Sequence, residues 1–250
     1  MTAGCRGSAG RRGDDSARRE APASAGANFP LRGRDRNSKP AWPNGAPALS
    51  DAQNPPLQLF VIRHGETEWS LSGQHTGVTE VALTAHGEDE ARSLAPILGK
   101  VAFARVLASP RQRARRTCEL TGLGAAAEIE PNLAEWGYGD YEGLTPAEIA
   151  ARRPGWEVFR DGCPGGETPQ QVSDRADRLL QSLRALKGNV ALFTHGHFGR
   201  ALAVRWIGLP IATGRLFGLR TASIGILGYD PAHPDAPVIA LWNEVAAERA

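Results

Sequence analysis

Cysteine is scarce in this sequence of 250 residues, which contains Cys5, Cys118 and Cys163 and no other. Three widely spaced thiols without a C-x-x-C pair argue against a disulfide framework and against a zinc ribbon. Such sparse cysteine usage fits a reducing compartment. We therefore expect a cytoplasmic protein that needs no structural metal.

Long apolar runs and a strong charge of one sign are also missing. No run reaches the length that crosses a bilayer, and the N-terminal residues lack the apolar segment of a signal peptide. The formal net charge is +2, which does not indicate a nucleic-acid-binding protein. We expect neither a membrane nor a nucleic acid as partner.

Residues 1–56 lack hydrophobic periodicity and are rich in Gly, Ala, Arg, Pro and Ser. Such a segment cannot bury enough apolar surface to offset its ordering entropy, so we predict a disordered extension. A transit peptide is an alternative, against which the acidic residues of the segment count. The remaining residues, 57–250, are predicted to form one folded domain.

Within that domain, short apolar runs alternate with amphipathic segments. Thr84 is predicted to open a helix through a capping box, Ser109-Pro110 to start a second helix, and Thr168-Pro169 a third. Strands that alternate with helices predict a three-layer α/β/α sandwich with a mostly parallel central sheet. The predicted strands are 59–62, 105–108, 126–129, 189–194, 223–229 and 238–242, and the predicted helices end near 98, 152, 187 and 206.

Two of the predicted strands end in the same way. The strand at 59–62 leads into Arg63-His64-Gly65, and the strand at 189–194 leads into His195-Gly196. Because sites in α/β sheets gather at the carboxyl ends of strands, both histidines are expected in one crevice. An arginine fork beside an imidazole suits a phosphate group. The alternative for each histidine is a hydrogen-bonded structural residue at a strand end.

A phosphate site needs further cations, and Arg113 is placed one turn into the helix after Ser109-Pro110. Arg111, Arg115 and Arg116 lie on the same segment. At helical spacing the four side chains cannot all face one way, so most of them are expected to form a solvated surface. Arg113 is the predicted exception.

Four motifs, in this order along the chain, resemble those of the histidine phosphatase superfamily, which has the phosphoglycerate-mutase-like fold. The resemblance covers residues 57 to about 242. The motifs are RHGET at 63–67, SPRQRARRT at 109–117, LAEWGYGDYEG at 133–143 and THG at 194–196.

The resemblance implies a role for each of five residues. His64 would attack phosphorus and carry the phosphoryl group, while Arg63, Arg113 and His195 would surround it. Glu135 would donate a proton to the leaving oxygen and then act as base on water. A carboxyl beside Trp136 is expected to have its pKa raised by desolvation. No metal and no cofactor are implied, since the arginines supply the positive charge.

The same fold hosts phosphatases and mutases, so the choice rests on other residues. Cofactor-dependent mutases carry Arg after the proton-donating Glu, where this chain has Trp136, and Asn and Arg where it has Ser70 and Gln74. We therefore expect a phosphomonoesterase of acid type that acts on small, sugar-type phosphates. A phosphoglycerate mutase and a non-catalytic phospho-ligand-binding domain are the alternatives, and a homodimer is left open.

The loops around the predicted crevice resemble those of acid phosphatases and sugar-bisphosphatases. The stretches that carry this likeness are 69–77, 138–143, 161–167 and 195–197. They are expected to form the rim of the site and to select the substrate. Ser70, His75, Thr76 and Glu167 are the candidate substrate-binding residues of this rim, with ordinary turn formation as the alternative for each.

Overall fold

The computed structural model describes residues 55–246. The predicted disordered extension at 1–56 therefore lies, apart from its last two residues, outside the described part of the chain.

A six-stranded sheet forms the centre of the fold, in the order β3-β2-β4-β1-β5-β6. The pairs β1–β4, β2–β4 and β2–β3 are parallel, whereas β5 is antiparallel to both β1 and β6. The predicted mostly parallel sheet is confirmed, with an antiparallel pair of strands at one edge. The strands are β1 (Gln58–Arg63), β2 (Phe103–Ala108), β3 (Ala127–Ile129), β4 (Asn189–Thr194), β5 (Ser223–Asp230) and β6 (His233–Val245).

Seven α-helices accompany the sheet within residues 55–246, and none of them is long and apolar enough to cross a membrane. Short 3-10 turns occur at 124–126, 131–133, 139–141 and 211–216. The helices are α1 (Glu68–Ser72), α2 (Ala85–Leu98), α3 (Gln112–Leu120), α4 (Pro146–Arg152), α5 (Val158–Asp161), α6 (Pro169–Arg184) and α7 (Gly196–Trp206).

The sheet buries both of its faces. Leu59 and Val61 of β1 belong to one apolar cluster with buried residues of α6 and α7. Phe60 and Ile62 are equally buried and point to the opposite face, because successive side chains of a strand alternate. On that face α3 packs against β2 and β4 and also against α2. Helices on both faces are the predicted three-layer arrangement.

The start of α2 agrees with the prediction only in part. Thr84 is the N-cap, and its hydroxyl accepts a hydrogen bond from the backbone N–H of Gly87. The reciprocal half of a capping box is missing because Gly87 occupies the third helical position and has no side chain. The backbone N–H of Thr84 donates instead to the carbonyl oxygen of Glu66, 3.0 Å away, and its hydroxyl donates to the Glu66 carboxylate, 2.8 Å away.

The prediction that Ser109-Pro110 starts the next helix is wrong. Helix α3 begins at Gln112 and is preceded by Arg111, which makes no side-chain cap. Ser109 is fully buried at the end of β2, where its hydroxyl contacts the ring of His195. Serine is a favourable helix N-cap, but the Ser109 hydroxyl contacts His195 instead of capping α3.

Other boundaries differ by a few residues. Helix α6 opens after Thr168 as predicted, with a capping box between Thr168 and Gln171, but it ends at Arg184 rather than near Lys187. Gly188 follows with φ of 75°, a left-handed conformation that favours glycine. Helices α1 and α5 are not among the helices that the sequence predicted.

A close backbone contact at Gly87 leads to a prediction of stability. A Cβ atom there would lie 2.1 Å from the carbonyl oxygen of Glu66, the residue after the Arg63-His64-Gly65 turn. Alanine normally favours a helix by about 1 kcal/mol over glycine. We nevertheless expect Gly87→Ala to lower the free energy of unfolding by about 2–3 kcal/mol, since backbone atoms must move apart.

Urea unfolding followed by circular dichroism measures this change. Gly218→Ala is the matched control, because a Cβ there would meet its nearest neighbour at 3.7 Å. Equal stability of the two variants would contradict the proposed steric cause.

Candidate active site

His64 lies at the carboxyl end of β1, and hydrogen bonds of the backbone at residues 64 and 65 fix its position. Its N–H donates to the carbonyl of Thr194 on the neighbouring strand β4, and the N–H of Gly65 donates to the Thr117 hydroxyl. The ring Nδ1 lies 2.7 Å from the carbonyl oxygen of Gly65. Because a carbonyl only accepts, Nδ1 carries the proton and Nε2 keeps its lone pair.

His195 is the residue before α7 and is completely buried. Its Nε2 contacts the Ser109 hydroxyl at 2.7 Å, and its ring centroid lies 5.3 Å from that of His64. The Nδ1 atom of His195 has no hydrogen-bond partner within residues 55–246. The structure thus brings the two strand-end histidines together, as the sequence predicted.

Three arginines direct positive charge at this point, and all three make their hydrogen bonds to backbone carbonyl oxygens. Arg113 is fully buried, while Arg63 and Arg200 line the cavity in front of His64. Carbonyl dipoles hold a guanidinium in place without cancelling its charge, so the positive charge remains available to an anion. The acceptors are Leu219 for Arg63; Thr76, Gly77 and Thr79 for Arg113; and Gly196 and Phe217 for Arg200.

Burial and these cations keep the two imidazoles neutral. Burial lowers the pKa of His64 well below its ordinary value, and Arg113 and Arg63 lower it further. Burial and then Arg113 lower the pKa of His195 in the same way. A neutral His64 has a free lone pair on Nε2, which is what a nucleophile requires.

Glu135 occupies the amino-terminal end of α7. Its Oε1 accepts hydrogen bonds from the backbone N–H groups of Trp136 and Phe198, and its Oε2 accepts one from His197. The carboxyl is 8% exposed and lines the cavity. The sequence had led us to expect an apolar setting beside Trp136, whereas three N–H groups fix the carboxyl in place.

The cavity in front of His64 has a volume of about 280 Å³. Arg63, His64 and Glu135 line it, whereas Arg113 and His195 are buried behind its wall. The rim contributes aromatic, imidazole and amide groups. Its further lining residues are Trp69, Ser70, Gly73, Gln74, His75, Thr76, Tyr138, Pro146, Gly196, His197, Arg200 and Leu219.

Three of the four candidate rim residues line this cavity. The hydroxyl of Ser70 donates to the Thr67 carbonyl and also accepts from its N–H, in the capping box of α1. His75 holds the carbonyl of Leu144 through Nδ1. Thr76 lies beside it, and its carbonyl oxygen accepts from Arg113.

Glu167, the fourth candidate, is not among the residues that line the cavity. Its carboxylate makes two hydrogen bonds to Arg175, at 2.9 and 2.8 Å, and accepts one from the N–H of Gly137. Arg175 also donates to the carbonyl oxygens of Asn132, Ala134 and Glu135. The structure thus gives Glu167 a different place: the ion pair shapes the loop that carries Glu135.

The sequence analysis assigned no individual role to four residues of the site, although it placed Tyr138 in the predicted rim. Ser109 and Thr117 lie in the second motif, but their contacts with His195 and Gly65 depend on strand and helix packing. Tyr138 places its hydroxyl 2.5 Å from Nδ1 of His197. Arg200 is one helical turn beyond Gly196, and that spacing was the available signal for it.

Comparison with known proteins identifies the family. Residues 59–245 match the histidine phosphatase superfamily (branch 1) along nearly the whole described domain. This chain belongs to the histidine phosphatase superfamily.

Individual relatives of this histidine phosphatase are named as phosphatases. It is 45% identical to an acid phosphatase of Mycobacterium tuberculosis over 69% of this chain and 87% of the relative. It is 34% identical to sedoheptulose 1,7-bisphosphatase of Saccharomyces cerevisiae over 62% of this chain and 69% of the relative. A solved structure of a Mycobacterium tuberculosis open-reading-frame product matches with a TM-score of 0.70 and 41% sequence identity. The match covers 76% of this chain and 98% of the chain in that structure. Further relatives are named as probable phosphoglycerate mutases.

The thiols of this histidine phosphatase that the structure describes are buried. Burial raises the pKa of both Cys118 and Cys163 to about 12, so neither is a reactive thiolate at neutral pH. Cys5 lies outside the described residues. Between residues 55 and 246, no group of three or more His, Cys, Asp or Glu side chains is arranged to hold a metal ion.

The buried imidazoles lead to a prediction of pH-dependent stability. In the folded chain the pKa values of His64, His195 and His197 are well below the ordinary value, mainly through burial. On acidification the unfolded chain therefore takes up protons that the folded chain does not. The contribution of these histidines to the free energy of unfolding is complete above about pH 6.5. Below that pH it falls by up to about 1.4 kcal/mol per pH unit for each histidine.

Urea unfolding at several pH values between 7.5 and 5.5 measures the slope. His64→Asn should reduce it by the share of one histidine. A free energy of unfolding that does not change across this range would contradict the burial of three neutral imidazoles.

Proposed function

We propose that this histidine phosphatase hydrolyses phosphomonoesters of small metabolites through a phosphohistidine on His64. The observation that carries the proposal is the unprotonated Nε2 of His64 in a cavity whose arginines are bound only through carbonyl oxygens. Such a cavity favours a dianion, and a phosphate ester places its phosphorus beside the nucleophile.

In the first step, the lone pair on Nε2 of His64 attacks phosphorus. The N–P bond forms as the bond between phosphorus and the ester oxygen breaks, and that oxygen leaves with the electron pair. Arg63, which lines the cavity, stabilises the equatorial oxygens directly, and the buried Arg113 and the free Nδ1 side of His195 add to this stabilisation from beneath the cavity surface. The two arginines supply charge that would otherwise require a metal ion.

Glu135 manages the proton in both steps. Oε1 accepts two hydrogen bonds and Oε2 accepts one, so Oε2 has the lone pair that is free to carry a proton. That proton passes to the leaving oxygen. In the second step Oε2 takes a proton from water, the water oxygen attacks phosphorus, and the N–P bond breaks to release phosphate.

Two observations favour water over a sugar-acid hydroxyl as the second acceptor. Trp136, which stands where mutases carry arginine, is fully buried and donates its indole N–H to the Glu167 carbonyl. It therefore adds no cation to the cavity. The relatives named as phosphatases support the same choice, although the family also includes relatives named as mutases.

The size and charge of the site support a small substrate and an acid-type enzyme. A cavity of about 280 Å³ is slightly smaller than most ligand sites, which span roughly 300–1,000 Å³. Since its pKa lies well below the ordinary value, His64 stays nucleophilic in mildly acidic solution. Cytoplasmic location, independence of cofactors and the homodimer left open above stay predictions.

The covalent intermediate provides the direct test. We expect the purified chain to release phosphate from 4-nitrophenyl phosphate, and His64→Asn to lower that rate by about 10⁴-fold or more. Quenching with alkali should trap acid-labile, alkali-stable phosphate on the native protein alone.

The same samples distinguish the alternatives. Interconversion of 2- and 3-phosphoglycerate that outruns phosphate release would favour the mutase. Binding of phosphate esters without turnover or phosphohistidine would leave the non-catalytic alternative.

The role of Glu135 depends on the leaving group. We expect Glu135→Gln to lower kcat/KM for glycerol 3-phosphate by about 10²–10⁴-fold, because an alkoxide needs a proton to leave. The loss should be much smaller for 4-nitrophenyl phosphate, whose leaving group is stable as an anion. Equal losses on both substrates would indicate that Glu135 positions the substrate rather than donating a proton.

A further inference from the structure

One wall of the cavity consists of His75, His197 and Tyr138, and the mechanism above gives none of them a role. The imidazole rings of His75 and His197 are nearly parallel, at 9°, with centroids 5.8 Å apart. The ring of Tyr138 meets both edge-on. All three residues line the cavity.

The hydrogen bonds of His75 fix its tautomer. Its Nδ1 lies 2.9 Å from the carbonyl oxygen of Leu144, which only accepts, so Nδ1 carries the proton. Burial lowers the pKa of His75, which keeps the ring neutral. Its Nε2 is therefore a hydrogen-bond acceptor.

The hydrogen bonds of His197 fix the opposite tautomer. Its Nδ1 lies 2.5 Å from the Tyr138 hydroxyl, and burial raises the pKa of that phenol well above its ordinary value, so the hydroxyl keeps its proton. We assign the donor role in this contact to Tyr138, because its hydroxyl has no other acceptor among residues 55–246. His197 then carries its own proton on Nε2, which is a donor.

Neither Nε2 atom has a protein partner among residues 55–246, and neither is among the buried polar atoms without one, so both are open to the cavity. The wall thus presents one donor and one acceptor. A hydroxyl group matches this pair because it both donates and accepts. An oxyanion would face the lone pair of His75, and an alkyl chain would leave both nitrogens unpaired.

We propose that His75 and His197 recognise hydroxyl groups of the substrate, and that the substrates are phosphates of polyols or sugars. Tyr138 is the positioning residue, because its hydroxyl fixes which nitrogen of His197 is the donor. This inference rests on the proposed phosphatase function and narrows it to a substrate class. Arg63, His64 and Arg113 act on the phosphoryl group, whereas this wall acts on the carbon skeleton.

Matched esters test the proposal. Glycerol 3-phosphate and n-propyl phosphate share a three-carbon chain, and ribose 5-phosphate and n-pentyl phosphate share a five-carbon one. For each pair the ratio of the kcat/KM values measures hydroxyl selectivity, and it does not depend on the fraction of active protein. We expect a ratio of about 10 or more for the native chain in at least one pair.

The variants separate hydroxyl recognition from packing. His75→Leu and His197→Leu should each lower the ratio about tenfold, whereas His197→Gln, whose amide N–H₂ can replace Nε2–H, should retain most of it. Tyr138→Phe should lower the ratio about threefold or more, since Nδ1 loses its donor. Tyr229→Phe, which removes a hydroxyl away from this cavity, is the matched control.

The outcomes also separate this inference from the proposed function. A native chain that releases no phosphate from any ester, 4-nitrophenyl phosphate included, would overturn the proposed function. A chain that hydrolyses alkyl esters as well as hydroxylated ones, or whose ratio does not change in the histidine variants, would overturn this inference alone.

The tautomer has a readout that packing does not alter. Long-range ¹H–¹⁵N spectra of the ¹⁵N-labelled full chain distinguish a protonated Nε2 from a protonated Nδ1, and the His197→Gln variant identifies the signal among the six histidines. We expect Nε2–H for His197 in the native chain and a mixture of tautomers in Tyr138→Phe. A protonated Nδ1 in the native chain would overturn the role assigned to Tyr138.

Discussion

The buried guanidinium of Arg113, bound to the carbonyl oxygens of residues 76–79, is the interaction on which the site depends. A charge in the interior is costly unless polar groups surround it, and here backbone dipoles take that part. The contact ties α3 to the loop after α1, and it leaves the positive charge uncancelled. The same arrangement holds Arg63 and Arg200. The cavity is therefore suited to an anion, which agrees with the phosphate esters proposed as its substrates.

A second charged contact sets the position of Glu135. Arg175 pairs with Glu167 and also holds the carbonyl oxygens that precede and include Glu135. The Glu135 carboxyl in turn accepts N–H groups at the start of α7, directly after His195. The loop and the strand end are thus fixed relative to each other. The distance between Glu135 and His195 is set by this shared anchor.

The sequence was most informative where local chain direction decides the result. Apolar runs ending in His64 and His195 predicted two strands with a common edge, since parallel neighbours deliver their carboxyl ends together. Contacts across loops were not predictable in this way. Ser109 has the chemistry of a helix cap and contacts His195 instead, and Glu167 looked like a rim carboxylate although Arg175 neutralises it. In both cases the tertiary packing determines which of two possible contacts the side chain makes.

The resemblance to a family implied roles for the residues around His64, but it did not predict which nitrogen of His75 or His197 carries the proton. Which nitrogen of His75 or His197 carries a proton is decided by the Leu144 carbonyl and the Tyr138 hydroxyl, which lie 69 and 59 residues away in sequence. Two members of this wall, His75 and Tyr138, belong to loops, whereas His197 is the second residue of α7 and lies two residues after His195. We therefore expect substrate choice to vary most readily by substitutions at positions 75 and 138, which leave the strand ends that carry His64 and His195 unchanged. A shared mechanism among relatives is therefore compatible with different substrates.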